Sequence, residues 1–185
     1  GEALQLRSAG IGGEILLLGP CAERDVPALA AAKVIFLING EEAAKRYGNA
    51  ALNGVIRAHI MLDTGMNRLG IPVAEGIEKT IERAFCICQM PGMHVEGIAT
   101  HLAAADDIVQ TDFTENQIHQ FQEVSSALTG RLGRPLIRHC ANSAGILAWP
   151  TACFDMVRPG IMLYGALPDL SMAAQPGLRP ALSVR

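Results

Sequence analysis

Hydrophobic and polar positions alternate along this chain in a regular beat: a short apolar run, a punctuating Gly, Pro or Asp, then a longer amphipathic stretch. Glu14–Leu18 is a run closed by Gly19-Pro20, Lys33–Ile38 is a second, and Val55–Leu62 is a third that ends at Asp63. His94–Ala99, Leu136–Cys140 and Phe154–Val157 continue the series. Runs of this length bounded by turn signals predict buried strands. Between them the pattern predicts helices. Asp25 is placed to cap one that has Pro27 in its first turn and alanines up to Ala32. Others fall at Glu41–Tyr47, Val73–Ile87 and Ser143–Ala148, and residues 113–129 line up Phe113, Ile118, Phe121, Val124 and Leu128 on one helical face. Thr100–Thr111 reads as a loop in which Asp106-Asp107 is solvated.

Six such β/α beats follow one another with no hairpin signature, so the strands are expected to be parallel and joined by crossovers. An open doubly wound sheet and a closed (β/α)8 barrel share this beat, and a closed barrel needs eight strands and about 250 residues. Gly1–Arg7 reads as the end of a helix and Gly177–Arg185 as the start of a new extended segment, which together suggest a piece of a larger fold.

The 185 residues are 50% apolar and 18% charged, enough for one sizeable core. Few aromatics (4%) and many small aliphatics suit alternating β and α layers with close backbone approach. A net charge of −3 gives no basis for binding nucleic acid. No uncharged run is long and apolar enough to cross a bilayer, and no basic segment followed by an apolar one opens the chain. Five cysteines, an odd number, fit a reducing, cytoplasmic compartment better than a disulfide scaffold. Cys86-Ile-Cys88 has one intervening residue, and His59, His94, His119 and His139 have no useful spacing to a cysteine pair, so no metal is assigned.

Two segments place an arginine beside glycines just after an apolar run: Asp63-Thr-Gly-Met-Asn-Arg-Leu-Gly70 and Arg158-Pro-Gly-Ile-Met-Leu-Tyr-Gly165. Buried arginines need partners, so Arg68 and Arg158 suggest an anionic or heteroaromatic ligand at the C-terminal ends of strands. Arg68 could instead hold its own loop by pairing with Asp63. His101 follows Gly97–Thr100 and could be a ligand contact or a satisfied structural histidine. Asn142-Ser143 opens a small-residue helix and Gly160-Ile161 makes a tight turn, a combination that suits a phosphate, with Ser143 as a simple N-cap the alternative.

With Thr100-His-Leu102 and His139-Cys-Ala-Asn-Ser143, these two segments resemble the barrel domain of alanine racemase, a fold-type III enzyme dependent on pyridoxal 5'-phosphate (PLP). The resemblance implies an α/β fold, a partial (β/α)8 TIM barrel with about six of its eight units, over residues 1–176. Residues 177–185 would begin the crossover to a C-terminal β domain outside this chain. It further implies that Arg68 hydrogen-bonds the phenolic oxygen of PLP and Arg158 its pyridine nitrogen. His101 would pack by the ring, Ser143 with the backbone of Gly160 and Ile161 would bind the phosphate, and Asn142 would belong to the same cofactor-binding set. Tyr164 is given only core packing.

The implied reaction is interconversion of L-alanine and D-alanine through a PLP aldimine, in a cytoplasmic homodimer that supplies D-alanine for cell-wall peptidoglycan. A serine or broad-spectrum amino-acid racemase and a non-enzymatic PLP-binding barrel are the alternatives, and Leu178–Leu182, similar to the family's crossover, argues against the latter. The family's lysine and tyrosine bases have no match here: Lys33, Lys45 and Lys79, and Tyr47 and Tyr164, stand in other contexts. No catalytic residue is therefore assigned within the chain. Met61 stands where many members carry a carbamylated lysine that orients the arginine matching Arg68.

Overall fold

A computed structural model describes residues 1–51, 54–172 and 177–181. Residues 182–185 of the expected crossover segment, and 173–176 before it, lie outside the described residues. In chain order the helices are α1 (Glu2–Ser8), α2 (Val26–Ala31), α3 (Glu41–Ala50), α4 (Ile77–Cys88), α5 (Thr111–Leu132) and α6 (Ser143–Ala148). The strands are β1 (Leu16–Leu17), β2 (Ile35–Ile38), β3 (Ile56–Asp63), β4 (Ile71–Pro72), β5 (Met93–Ala99) and β6 (Ile137–His139).

All pairings are parallel, in the order β1-β2-β3-β5-β6, with β4 attached to the end of β3. Sheet order follows chain order without reversal. Right-handed crossovers that always step the same way put every helix on one face of the sheet, as in a barrel and unlike a doubly wound sheet. The result is a curled, open half-barrel, a partial TIM barrel.

Strand period explains the two faces. In β3, Ile56, Ala58, Ile60 and Leu62 are fully buried and belong to the main core, where they join Ala84 and Ile87 of α4 and Ile118, Phe121, Val124 and Leu128 of α5. Arg57, His59 and Met61 alternate with them and therefore turn to the barrel's inner face. Arg57 bridges Glu14 and Glu96 there at 2.7 and 2.9 Å.

Two glycines are required by close approach. Gly70 has φ +126°, and a Cβ on it would lie 2.6 Å from the Leu62 carbonyl carbon, so only glycine lets the chain return to pair Ile71 with Leu62. A Cβ on Gly97 would lie 2.6 Å from the His59 ring, so this glycine of β5 clears the space His59 occupies.

Several sequence expectations are corrected. Phe154–Val157 is not a strand: a 3-10 turn at Pro150–Ala152 and Phe154 at φ +36° break the extended backbone. The segment still runs along β6, with the amides of Asp155 and Met156 donating to the Arg138 carbonyl. Lys33, at φ +54°, lies before β2 rather than in it, and β1 shrinks to two residues. Val73–Glu75 forms a 3-10 turn, and α4 starts only after Gly76. Asp25 occupies the N-cap position of α2 but makes no side-chain cap bond. Tyr164 is 71% exposed and packs in no core.

Candidate active site

The expected residues come together. Arg68, His101, Asn142, Ser143, Arg158, Gly160 and Ile161 all line one cavity of about 480 Å³ at the C-terminal ends of the strands, where barrel proteins hold ligands. Leu18, Leu37, Met61 and His139 are among the other residues that line it.

Arg158 is the most constrained of these side chains. One terminal nitrogen donates to the Nδ1 of His139 and, at 3.0 Å, to the His139 carbonyl. The other donates to the carbonyls of Thr100 at 2.7 Å and Cys140 at 3.3 Å, with His101 Nδ1 at 3.5 Å. These contacts commit the four terminal N–H groups and leave the Nε–H with no acceptor among the described residues. Burial pulls the group below the ordinary arginine range, yet a guanidinium remains a donor only.

Three histidines beside it are neutral. Burial, followed by the Arg158 and Arg68 cations, holds His101 down to about 4. Burial and then Arg158 and His59 hold His139 at about 2, and burial holds His59 at about 4. The ring nitrogens of His59 (Nδ1) and His139 (Nε2) are 2.8 Å apart. The cavity thus presents two guanidinium cations and uncharged imidazoles, a surface suited to an anionic ligand.

At the other end, Ser143 Oγ accepts from the amides of Gly160 at 2.8 Å and Met162 at 3.4 Å, so the helix and the glycine turn share one oxygen. The N-cap of α6 is Asn142, not Ser143. Its Oδ1 accepts from the Gly145 amide, and its Nδ2 donates to the Leu102 carbonyl. The amides of Ala144 and Ile161 meet no acceptor among the described residues, as expected of a helix start and a glycine turn.

Arg68 is exposed at the mouth rather than buried. Asp63 does not pair with it, because its Oδ1 accepts instead from the amides of Gly65 and Asn67, both at 3.0 Å. A polar network beneath sets the loops. Gln117, fully buried in α5, donates to Thr64 Oγ1 and the His101 carbonyl and accepts from the Ala103 amide. Thr64 in turn lies 2.8 Å from Thr100, which bonds the Leu62 carbonyl.

Single-residue reading missed His59, His139 and Gln117 as parts of the site. The signal for His59 was its alternation with the apolar positions of β3. Among the described residues no group of three or more His, Cys, Asp or Glu could hold a metal ion, and no helix is long and apolar enough to cross a membrane. The five cysteines are unpaired.

Comparison with known proteins agrees with this geometry. Residues 1–168 match the family described as alanine racemase, N-terminal domain. The alanine racemase of Syntrophobacter fumaroxidans is 36% identical over 186 residues, covering 100% of this chain and 48% of that protein. The one from Edwardsiella ictaluri is 38% identical over 189 residues, covering 100% and 49%. Among solved structures, alanine racemase from Clostridium difficile 630 in complex with cycloserine superposes with a TM-score of 0.83 at 27% identity, over 91% of this chain and 46% of that one. Alanine racemase from Bacillus anthracis with bound L-Ala-P gives 0.79 at 33% identity, over 97% and 46%. The chain spans about half the length of the curated relatives it matches. It belongs to the alanine racemase N-terminal domain family, of fold-type III.

Proposed function

We propose that this chain forms the cofactor-holding half-barrel of a PLP-dependent racemase that interconverts L-alanine and D-alanine. The observation that carries the reading is Arg158, whose four terminal N–H groups are committed to the protein and whose Nε–H remains for a ligand. PLP, when bound, supplies an electron sink for the pair released at the substrate α-carbon. A cation that donates a hydrogen bond but does not yield its proton leaves the pyridine nitrogen unprotonated, which moderates that sink.

The donor set fits the cofactor's other groups. Arg68, with no ion-pair partner among the described residues, would hold the phenolic oxygen. Ser143 and the amides of Gly160 and Ile161 would hold the phosphate. His101, neutral and braced by Arg158 and Gln117, would pack by the ring. Asn142 supports this indirectly, since its amide is committed to the loop. Relatives consistently named alanine racemases favour alanine over serine and over a non-enzymatic barrel.

We assign the bases that exchange the α-proton to residues outside those described, with 1–176 as the barrel part and 177–185 the start of a crossover to a β domain. A homodimer acting on a small amino acid in a reducing, cytoplasmic compartment suits this reading and the five free thiols. The test is racemisation of L-alanine and, in parallel, L-serine by the protein as its gene encodes it, followed by chiral chromatography. D-alanine formation that requires PLP and is lost in Arg158→Lys is expected. Absence of racemisation with PLP bound, or serine turned over in preference to alanine, overturns the reading.

A further inference from the structure

Arg158 can only donate, so its bond to His139 makes Nδ1 of that ring the acceptor and, in a neutral imidazole, puts the His139 proton on Nε2. That proton faces His59 Nδ1 at 2.8 Å, so His59 accepts there and carries its own proton on Nε2. His59 Nε2 is buried with no hydrogen-bond partner among the described residues, and the residue is only 2% exposed. The chain of donors and acceptors therefore has one direction only, from the guanidinium inward to His59.

His59 carries an unmet Nε2 donor, which costs about 1–3 kcal/mol when buried and which an apolar side chain would spare, but such a side chain would take the acceptor from the His139 Nε2–H. The fold instead gives up a side chain on β5, at Gly97, to seat the imidazole. We propose that His59 is a positioning residue: by accepting from His139 it fixes the tautomer that holds the Arg158 guanidinium in register with its ligand. Without that acceptor the His139 proton is free to move to Nδ1, where it would oppose an Arg158 N–H donor to donor. This inference rests on the reading of Arg158 as the cofactor-holding residue.

The test labels the histidine side chains of the full chain with 15N and reads each ring's protonated nitrogen by NMR, alongside PLP titrations followed by absorbance. The wild type is expected to show His139 protonated on Nε2 and accepting at Nδ1. His59→Leu should lose that signature and weaken PLP binding about tenfold, the scale of one hydrogen bond. His59→Asn, whose Oδ1 sits near the place of Nδ1, should restore the signature and bring affinity back to within about threefold. A His139 proton on Nδ1 in the wild type overturns the proposal, whether or not any variant folds. So does His59→Leu with unchanged His139 signals and unchanged affinity. Failure of the wild type to bind PLP would instead sink the cofactor reading, while the His139 signals of the unliganded protein would still decide the tautomer.

Discussion

Gly97→Ala strikes at the packing that seats His59. The added Cβ would lie 2.6 Å from His59 Cε1 and Nδ1 and 2.7 Å from Cδ2. To regain ordinary contact near 3.4 Å the ring must retreat by about 0.8 Å. It has little room to do so, being 2% exposed, with its centroid 5.0 Å from that of His139. The 2.8 Å imidazole pair is then stretched or lost. Overpacking costs about 1–3 kcal/mol and an unmet buried donor about as much again. The lower entropy of an unfolded alanine returns about 0.5–1 kcal/mol, since Gly97 has no positive φ to lose. A net loss of about 2–4 kcal/mol is expected in urea unfolding. In a His59→Ala background the methyl has space to fill, so there Gly97→Ala should be neutral or stabilising. A double-mutant cycle that closes additively, to within about 0.5 kcal/mol, would refute the steric argument.

Two further outcomes follow from the buried polar groups. His59 and His139 are held neutral, at about 4 and about 2, against an ordinary imidazole value near 6.5, so between those values the unfolded chain binds protons that the folded chain refuses. Their contribution to stability is complete above about pH 6.5 and falls as pH drops toward 4, by roughly 1.4 kcal/mol per pH unit for each ring; unfolding midpoints that stay flat between pH 7 and 5 would contradict it. Gln117→Leu should cost about 2–4 kcal/mol in thermal or urea unfolding, because it strips partners from Thr64, the Ala103 amide and the His101 carbonyl at once.

The strands were legible because β3 and β5 are short stretches rich in buried apolar residues with turn residues at their ends. Phe154–Val157 misled for the same reason. Its apolar pattern records burial beside β6, but the backbone is bent by the Pro150–Ala152 turn and by Phe154, and tertiary contact rather than a ladder holds it. The site arginines were legible as glycine-flanked residues after strands, whereas their environments were not. Arg68 proved exposed, and the partners of Arg158 come from the ends of β5 and β6, with His59 of β3 linked to it only through His139, 80 residues further along the chain. Histidines weighed one at a time against cysteine spacings hide such a contact. The period-2 alternation of Arg57, His59 and Met61 was the available clue.

The identity of residue 158 is set by the sheet as much as by any ligand. Where β5 and β6 end, the ladder leaves the carbonyls of Thr100, His139 and Cys140 turned toward the same space. The Thr100 amide already donates to the His139 carbonyl, but the carbonyls of Thr100 and Cys140 need a donor, because a buried carbonyl left unmet loses its solvation without return. The planar fork of an arginine meets all three, adds His139 Nδ1, and still keeps one N–H. A lysine has three N–H groups on a single nitrogen. It could satisfy the carbonyls or donate to a ring, but not both. The same reasoning explains why the guanidinium tolerates burial that pulls its pKa down: its hydrogen bonds replace the lost water. An arginine here therefore closes the ends of two strands and presents a fixed donor to the cavity in one placement. Its orientation is shared between backbone carbonyls, which no side-chain substitution removes, and the His139 ring, which one can.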